Sequence, residues 1–262
     1  MSAWDRLLRL VFPPRCSACD RLLPFDLPMS DALCPACLAK WENEALETCG
    51  ICLKLVGKCD CVTEEMRRAR AACFRKLVYY RGRSGDAVQN RVIFRIKDAP
   101  NRMATAFLAS RLYVPLREEL DRRGLSPDAC SITYLPRGAT AKRESGTDQA
   151  YALAHVLSEL SGIAPERLIV RRRGKDQRQK TLRYQERIQN AKESYICAER
   201  HAPLNGKTVI LVDDIVTTGA GMAQGARLLR QMGAREVLCF AVASDEINRE
   251  REISKADFFM KN

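Results

Sequence analysis

The pattern of apolar and polar positions changes near residue 63. Between residues 16 and 61 the apolar residues show little periodicity, and the stretch is too short to fold around a hydrophobic core alone. Beyond it, helical and strand patterns follow one another. A short helix is expected over 64–71, then the strand FRKLVYY (74–80) ending before a turn at 82–85, then helices over 87–97 and 102–120. Strands at 131–136, 167–171, 207–214 and 236–243 then alternate with helical segments at 148–160, 182–190 and 219–232. This alternation predicts an α/β domain, residues 64–262, whose parallel sheet is flanked by helices, behind a small module of residues 1–63. Ligands of such sheets bind at the carboxyl ends of the strands.

Cysteine usage explains the aperiodic module. Eight of the twelve cysteines fall between residues 16 and 61, in close pairs. Cys16-x2-Cys19 is followed by Cys34-x2-Cys37, and Cys49-x2-Cys52 by the tighter Cys59-x-Cys61. Each pair of turns can close a tetrahedron of sulfurs around one metal, with Zn–S near ~2.3 Å. A redox CxxC stands alone at a helix start, and four successive pairs do not fit that pattern. Two structural zinc ribbons are therefore expected, and the module is not expected to fold without its metal. The other cysteines, Cys73, Cys130, Cys197 and Cys239, read as small apolar residues.

The segment VILVDDIVTTGAGM carries the most specific chemistry. A buried strand delivers Asp213 and Asp214, and a Thr217-Thr218-Gly219 turn then opens a helix. N–H groups at a helix start, Thr hydroxyls and a glycine form an anion cradle, and adjacent carboxylates accept from a ribose diol. That combination suits phosphoribose. An acidic pair at a strand end also occurs as a cap or as a Mg2+ site in response-regulator sheets, but those sheets open with the acidic strand.

This run resembles the signature of type I phosphoribosyltransferases, and with the cysteines the chain resembles the ComF family of competence-associated, phosphoribosyltransferase-like proteins. Pro136, Arg137, Gly138, Lys142, Arg143, Gly146 and Gln149 resemble one further stretch of that family, and Gln179, Leu182, Arg187 and Asn190 another. The resemblance runs from Pro13 to about Ala243. It implies a type I phosphoribosyltransferase fold that binds phosphoribosyl pyrophosphate with Mg2+. Asp213 and Asp214 would hold the ribose hydroxyls, and Thr217, Thr218, Gly219, Ala220 and Gly221 would wrap the 5′-phosphate. Arg137, Lys142 and Arg143 would sit on a pyrophosphate loop. Gly221 stands where the family has Thr, Ser145 where it has Arg, and Thr147-Asp148 where it has Phe-Asn. Thr217 replaces the Asp taken as general base in 6-oxopurine salvage, so salvage of hypoxanthine or guanine is not expected. No catalytic residue is assigned.

The formal charge of +12 falls to about +8 if two four-thiolate zinc sites each carry about −2. The remaining surplus would attract polyanions, and the basic stretch 171–187 reads first as a solvated face, since charge runs are mostly surface, and otherwise as a mobile loop over the site or a track for nucleic acid. Two functions follow. One is transfer of a phosphoribosyl group to an unidentified acceptor, with the zinc module supplying any lid. The other, implied by the resemblance, is a non-enzymatic nucleotide or single-stranded DNA binder acting in DNA uptake with competence proteins. The chain shows no signal-peptide core and no run long enough to span a membrane, so a cytoplasmic protein is expected. His155 and His201 belong to no motif.

Overall fold

The structure is a computed structural model that describes residues 12–28, 30–81, 87–98, 100–172, 189–191, 193–199 and 203–245. The expected turn at 82–85, residues 173–187 of the basic stretch with Gln179, Leu182 and Arg187, most of the expected helix at 182–190, and His201 lie outside the described residues. Its centre is a four-stranded parallel sheet made of β1 (Cys73–Tyr79), β2 (Cys130–Tyr134), β5 (Thr208–Val216) and β6 (Glu236–Ser244), in the order β1-β6-β5-β2. Val209, Ile210, Leu211 and Val212 of β5 are fully buried, as a strand covered on both faces requires.

The alternation along β5 sorts the rest of the chain into two layers. Ile210 and Val212 face α1 (Pro35–Ala45), α3 (Val88–Asp98), α4 (Arg102–Arg123) and α6 (Gln149–Ser161). Val209 and Leu211 face α2 (Glu64–Arg68) and α7 (Ala220–Gln231). Helix α4 starts where the Asn101 side chain accepts from Ala104 N at 2.9 Å, and it ends at left-handed Gly124. Among the described residues no helix is long and apolar enough to cross a membrane.

One expected strand is elsewhere. Residues 167–171 were expected in the parallel sheet, but β3 (Ile169–Arg171) pairs antiparallel with β4 (Tyr195–Cys197) in a separate two-stranded sheet. This segment pairs with the main sheet through the isolated bridge between Ile132 and Pro165. At that bridge Ile132 N donates to Ala164 O and Glu166 N to Ile132 O, but the next donor, Leu168 N, goes to the Thr133 side chain at 3.3 Å, and there the backbone ladder ends. β4 itself is a three-residue strand too short to show a pattern.

The cysteine module is built from one turn used twice. Cys16 N donates to Arg21 O and Asp20 N to Cys16 O; Cys49 N donates to Lys54 O and Leu53 N to Cys49 O. Asp20 and Leu53 both adopt left-handed φ, 60° and 59°. The module packs on the α/β body: Cys16, Cys34, Cys37 and Trp41 share a core with α3 and α4, and the Trp41 ring meets Phe107 edge-on at 5.2 Å.

Candidate functional site

β5 ends at the edge that β2 and β6 also reach, with Tyr134 beside Val212 and Ala241 beside Asp213. The chain then turns through Thr217, Thr218 and Gly219 into α7. Gly219 caps this helix at φ 75°, Thr218 Oγ1 accepts from Ala220 N at 3.3 Å, and Thr217 is exposed. Asp213 Oδ1 accepts from Asp214 N at 2.8 Å, and Asp214 Oδ1 accepts from Ile215 N at 2.7 Å. Sequence and structure agree here: two partly buried carboxylates and a helix start share one strand–turn–helix unit.

The two carboxylates are electrostatically unlike. Burial pushes Asp213 well above the usual carboxylate range, and the Asp214 charge adds to the shift. Burial opposes the charge of Asp214 too, but the Lys97 ammonium, the Ile215 N–H, the Arg137 guanidinium and Asp213 hold it below that range. The pair is thus split in opposite directions, with the charged form favoured on Asp214 and disfavoured on Asp213. Lys97 Nζ, at the end of α3, lies 3.6 Å from Asp214 Oδ2.

The segment 137–143, expected as a pyrophosphate loop, is mostly helical: α5 (Ala139–Ser145) runs through it and stops at left-handed Gly146. Lys142 Nζ lies 2.6 Å from Asp148 Oδ2, which also accepts from Arg137 N at 3.3 Å, while Arg143 is exposed. The other oxygen of Asp148, Oδ1, is buried with no partner among the described residues. Next to it, Gln149 Nε2 donates to Ile96 O at 2.7 Å and so fixes the end of α3 that carries Lys97. The run Lys142, Asp148, Gln149, Lys97, Asp214 thus joins the basic segment to the acidic pair. Sequence reasoning missed Lys97, which reads as one polar position of an amphipathic helix.

Tyr195 was missed as well. A Cβ placed on Gly221 would lie 3.3 Å from Leu135 Cδ1, 3.8 Å from Tyr195 Cε2 and 3.9 Å from its hydroxyl, so this buried phenol covers the turn. On its other flank the turn meets the cysteine module. A Cβ on Gly219 would sit 2.3 Å from Thr63 Oγ1, so at this point both φ and the neighbour require glycine. Thr63 follows Cys61 by two residues and caps α2, accepting from Met66 N at 3.4 Å.

The sulfurs of Cys16, Cys19, Cys34 and Cys37 lie within 4.8 Å of one another, and so do those of Cys49, Cys52, Cys59 and Cys61. Cys19 and Cys34 Sγ are 3.7 Å apart, close to the ~3.8 Å edge of a tetrahedron with Zn–S bonds of ~2.3 Å. Cys34 N donates to Cys16 Sγ and Cys61 N to Cys59 Sγ, contacts that suit thiolates. At the second quartet the fully buried Lys76 donates to Cys59 Sγ at 3.3 Å. A buried ammonium fits four thiolates on a divalent metal and would be costly beside four neutral thiols. Both sets fit structural zinc.

A family model described as a phosphoribosyl transferase domain matches residues 149–262, which include the acidic pair and the turn. Competence protein F of Haemophilus influenzae is 30% identical over 137 residues, 52% of this chain and 59% of that protein. Ribose-phosphate pyrophosphokinase of Pyrococcus abyssi is 42% identical over 52 residues, 20% of this chain and 18% of that protein. The chain therefore spans less than two thirds of either relative. A solved adenine phosphoribosyltransferase from Leishmania tarentolae aligns over 61% of this chain and 78% of its own, at 14% identity and a TM-score of 0.34. A phosphoribosyl transferase domain, two four-cysteine clusters ahead of it and the likeness to competence protein F together fit a ComF-like protein.

Proposed function

We propose that the chain binds phosphoribosyl pyrophosphate with Mg2+ and transfers its phosphoribosyl group to an acceptor, with residues 1–63 as a zinc-ribbon module on a catalytic domain of residues 64–262. The observation that supports this best is the unit formed by Asp213, Asp214 and the turn 217–221, at the carboxyl edge of a parallel sheet and inside the matched domain. The turn offers the N–H groups of a helix start and the hydroxyls of Thr217 and Thr218 to a 5′-phosphate. The carboxylate of Asp214 accepts from one ribose hydroxyl, and Asp213 from the other once it has lost its proton. Mg2+, when bound with the pyrophosphate, would neutralise part of its charge. Arg137 and Lys97, both close enough to act on Asp214, supply positive charge on the leaving-group side. Thr217 stands at the exposed point of the turn and cannot act as a base near neutral pH. A proton on the acceptor must therefore leave by another route.

The name of competence protein F favours a second reading, in which the same site holds a nucleotide-like ligand while the protein handles single-stranded DNA during uptake. Calorimetric titration of phosphoribosyl pyrophosphate with Mg2+ into the metal-loaded protein separates the two. Binding that is abolished by the double substitution Asp213→Asn, Asp214→Asn supports the phosphoribosyl reading. No binding to the unsubstituted protein overturns it and favours the DNA reading, whose signature is an affinity that falls steeply with salt.

A further inference from the structure

We propose that Tyr195 is a phosphate ligand of the turn 217–221, its hydroxyl donating a hydrogen bond to the phosphate that the turn cradles. The proposal rests on the phosphoribosyl reading of the site and adds a binding residue from a different sheet. Tyr195 opens β4, opposite Arg171 of β3, and is 7% exposed. Its ring packs in the layer formed by Leu135, Ile169 and Met222, and the Arg171 guanidinium lies 5.3 Å from the ring centroid. These contacts hold the ring and leave the hydroxyl as its polar end. The hydroxyl makes no hydrogen bond among the described residues, and it lies 3.9 Å from where a Cβ on Gly221 would be.

A buried phenol usually finds a partner for its O–H. Beside it is the start of α7, whose free N–H groups, like the phenol O–H, need an acceptor. The hydroxyl stands at van der Waals distance from the Cβ position of residue 221 in the first turn of α7, and a phosphate oxygen seated on the turn would accept from both the hydroxyl and the helix start. The hydroxyl also keeps its proton: burial raises its pKa, the Arg171 charge opposes the rise, and Asp213, Asp214 and Asp148 reinforce it. A neutral phenol can donate to a phosphate dianion, whereas a phenolate would repel it.

The test is calorimetric titration of ribose 5-phosphate into the protein and into Tyr195→Phe, which keeps the ring and its packing. A hydrogen bond to a charged group predicts affinity lower by roughly tenfold to a hundredfold in the variant. Thermal melting without ligand gives a second readout: a hydroxyl with no partner in the free protein predicts that Tyr195→Phe melts no lower. Equal affinity in the two proteins would overturn this proposal while leaving the phosphoribosyl site standing. A variant that melts lower would also overturn it, because the hydroxyl would then be satisfied structurally. If the unsubstituted protein binds no ribose 5-phosphate, the reading of the site fails, and this proposal with it.

Discussion

The two cysteine quartets begin with the same turn and are held to the body of the protein by different forces. The first is fastened mainly by apolar burial, Cys16, Cys34 and Cys37 sharing a core with Trp41, Phe107 and the face of α3, with Arg95 of α3 also donating to Ser17 O at 3.2 Å and pairing with Asp20. The second is fastened by charge and by chain continuity. Lys76 donates to Cys59, Arg75 donates to Gly57 O at 3.1 Å and pairs with the buried Glu119, and Cys61 leads directly to Thr63, which lies against Gly219. Through α2 the same segment packs on α7, where Glu65 and Arg227 are 3.6 Å apart. Geometrically similar four-cysteine clusters can thus serve different ends. The first extends the core, and the second is a strut beneath the site.

The strongest way to break this contrast is to remove each quartet in turn. Cys59→Ser should cost one metal per chain and leave the Lys76 ammonium buried without its thiolate, lowering stability by about 3–5 kcal/mol in a denaturant titration. Amide hydrogen exchange across 217–222 should rise with it. Cys34→Ser should also cost one metal but leave exchange across 217–222 unchanged. If elemental analysis shows the expected losses and the two variants exchange alike, the strut idea is wrong.

A smaller effect tests the contact itself. Gly219→Ala should destabilise by about 2 kcal/mol or more, from a left-handed φ that disfavours a Cβ and from the clash with Thr63. Thr63→Ala alone should cost about 1 kcal/mol through the lost cap of α2. Combined, the two should cost less than their sum, because the clash disappears with the hydroxyl; strict additivity in the double-mutant cycle would show that they do not touch.

The acidic pair gives the smallest effect and a signed one. Asp213 has a raised pKa, so the folded chain holds a proton that the unfolded chain has released. The stability this contributes below the ordinary carboxylate value is lost as pH rises through the raised one. Asp214 acts the other way: its contribution is present above the ordinary value and lost as pH falls through the lowered one. At neutral pH Asp213→Asn should therefore melt above the unsubstituted protein and Asp214→Asn below it. Melts that move together would show that the two carboxyls share one environment.

Much of this was legible in the chain. The four strands of the main sheet fall within a residue or two of the patterns at 74–80, 131–136, 207–214 and 236–243, because strands buried on both faces read as continuous apolar runs. Both quartets were legible from spacing, since a CxxC turn is local. The strand at 167–171 was recognised as a strand but assigned to the wrong sheet. Its three paired residues carry no information about their partner, which lies more than twenty positions further along.

Asp213, Asp214 and the turn after them were determined by sequence alone, because strand end, carboxylates and helix start are contiguous and their geometry follows from local backbone rules. The charge of that pair, its neighbours and its cover were decided by the tertiary structure. Lys97 reaches Asp214 from α3, Thr63 reaches Gly219 from the cysteine module, and Tyr195 reaches Gly221 from β4. Each is an ordinary residue in its own segment. It acquires a role only when packing brings segments from opposite parts of the chain to the carboxyl edge of one sheet, where burial strengthens electrostatic contacts that water would otherwise screen.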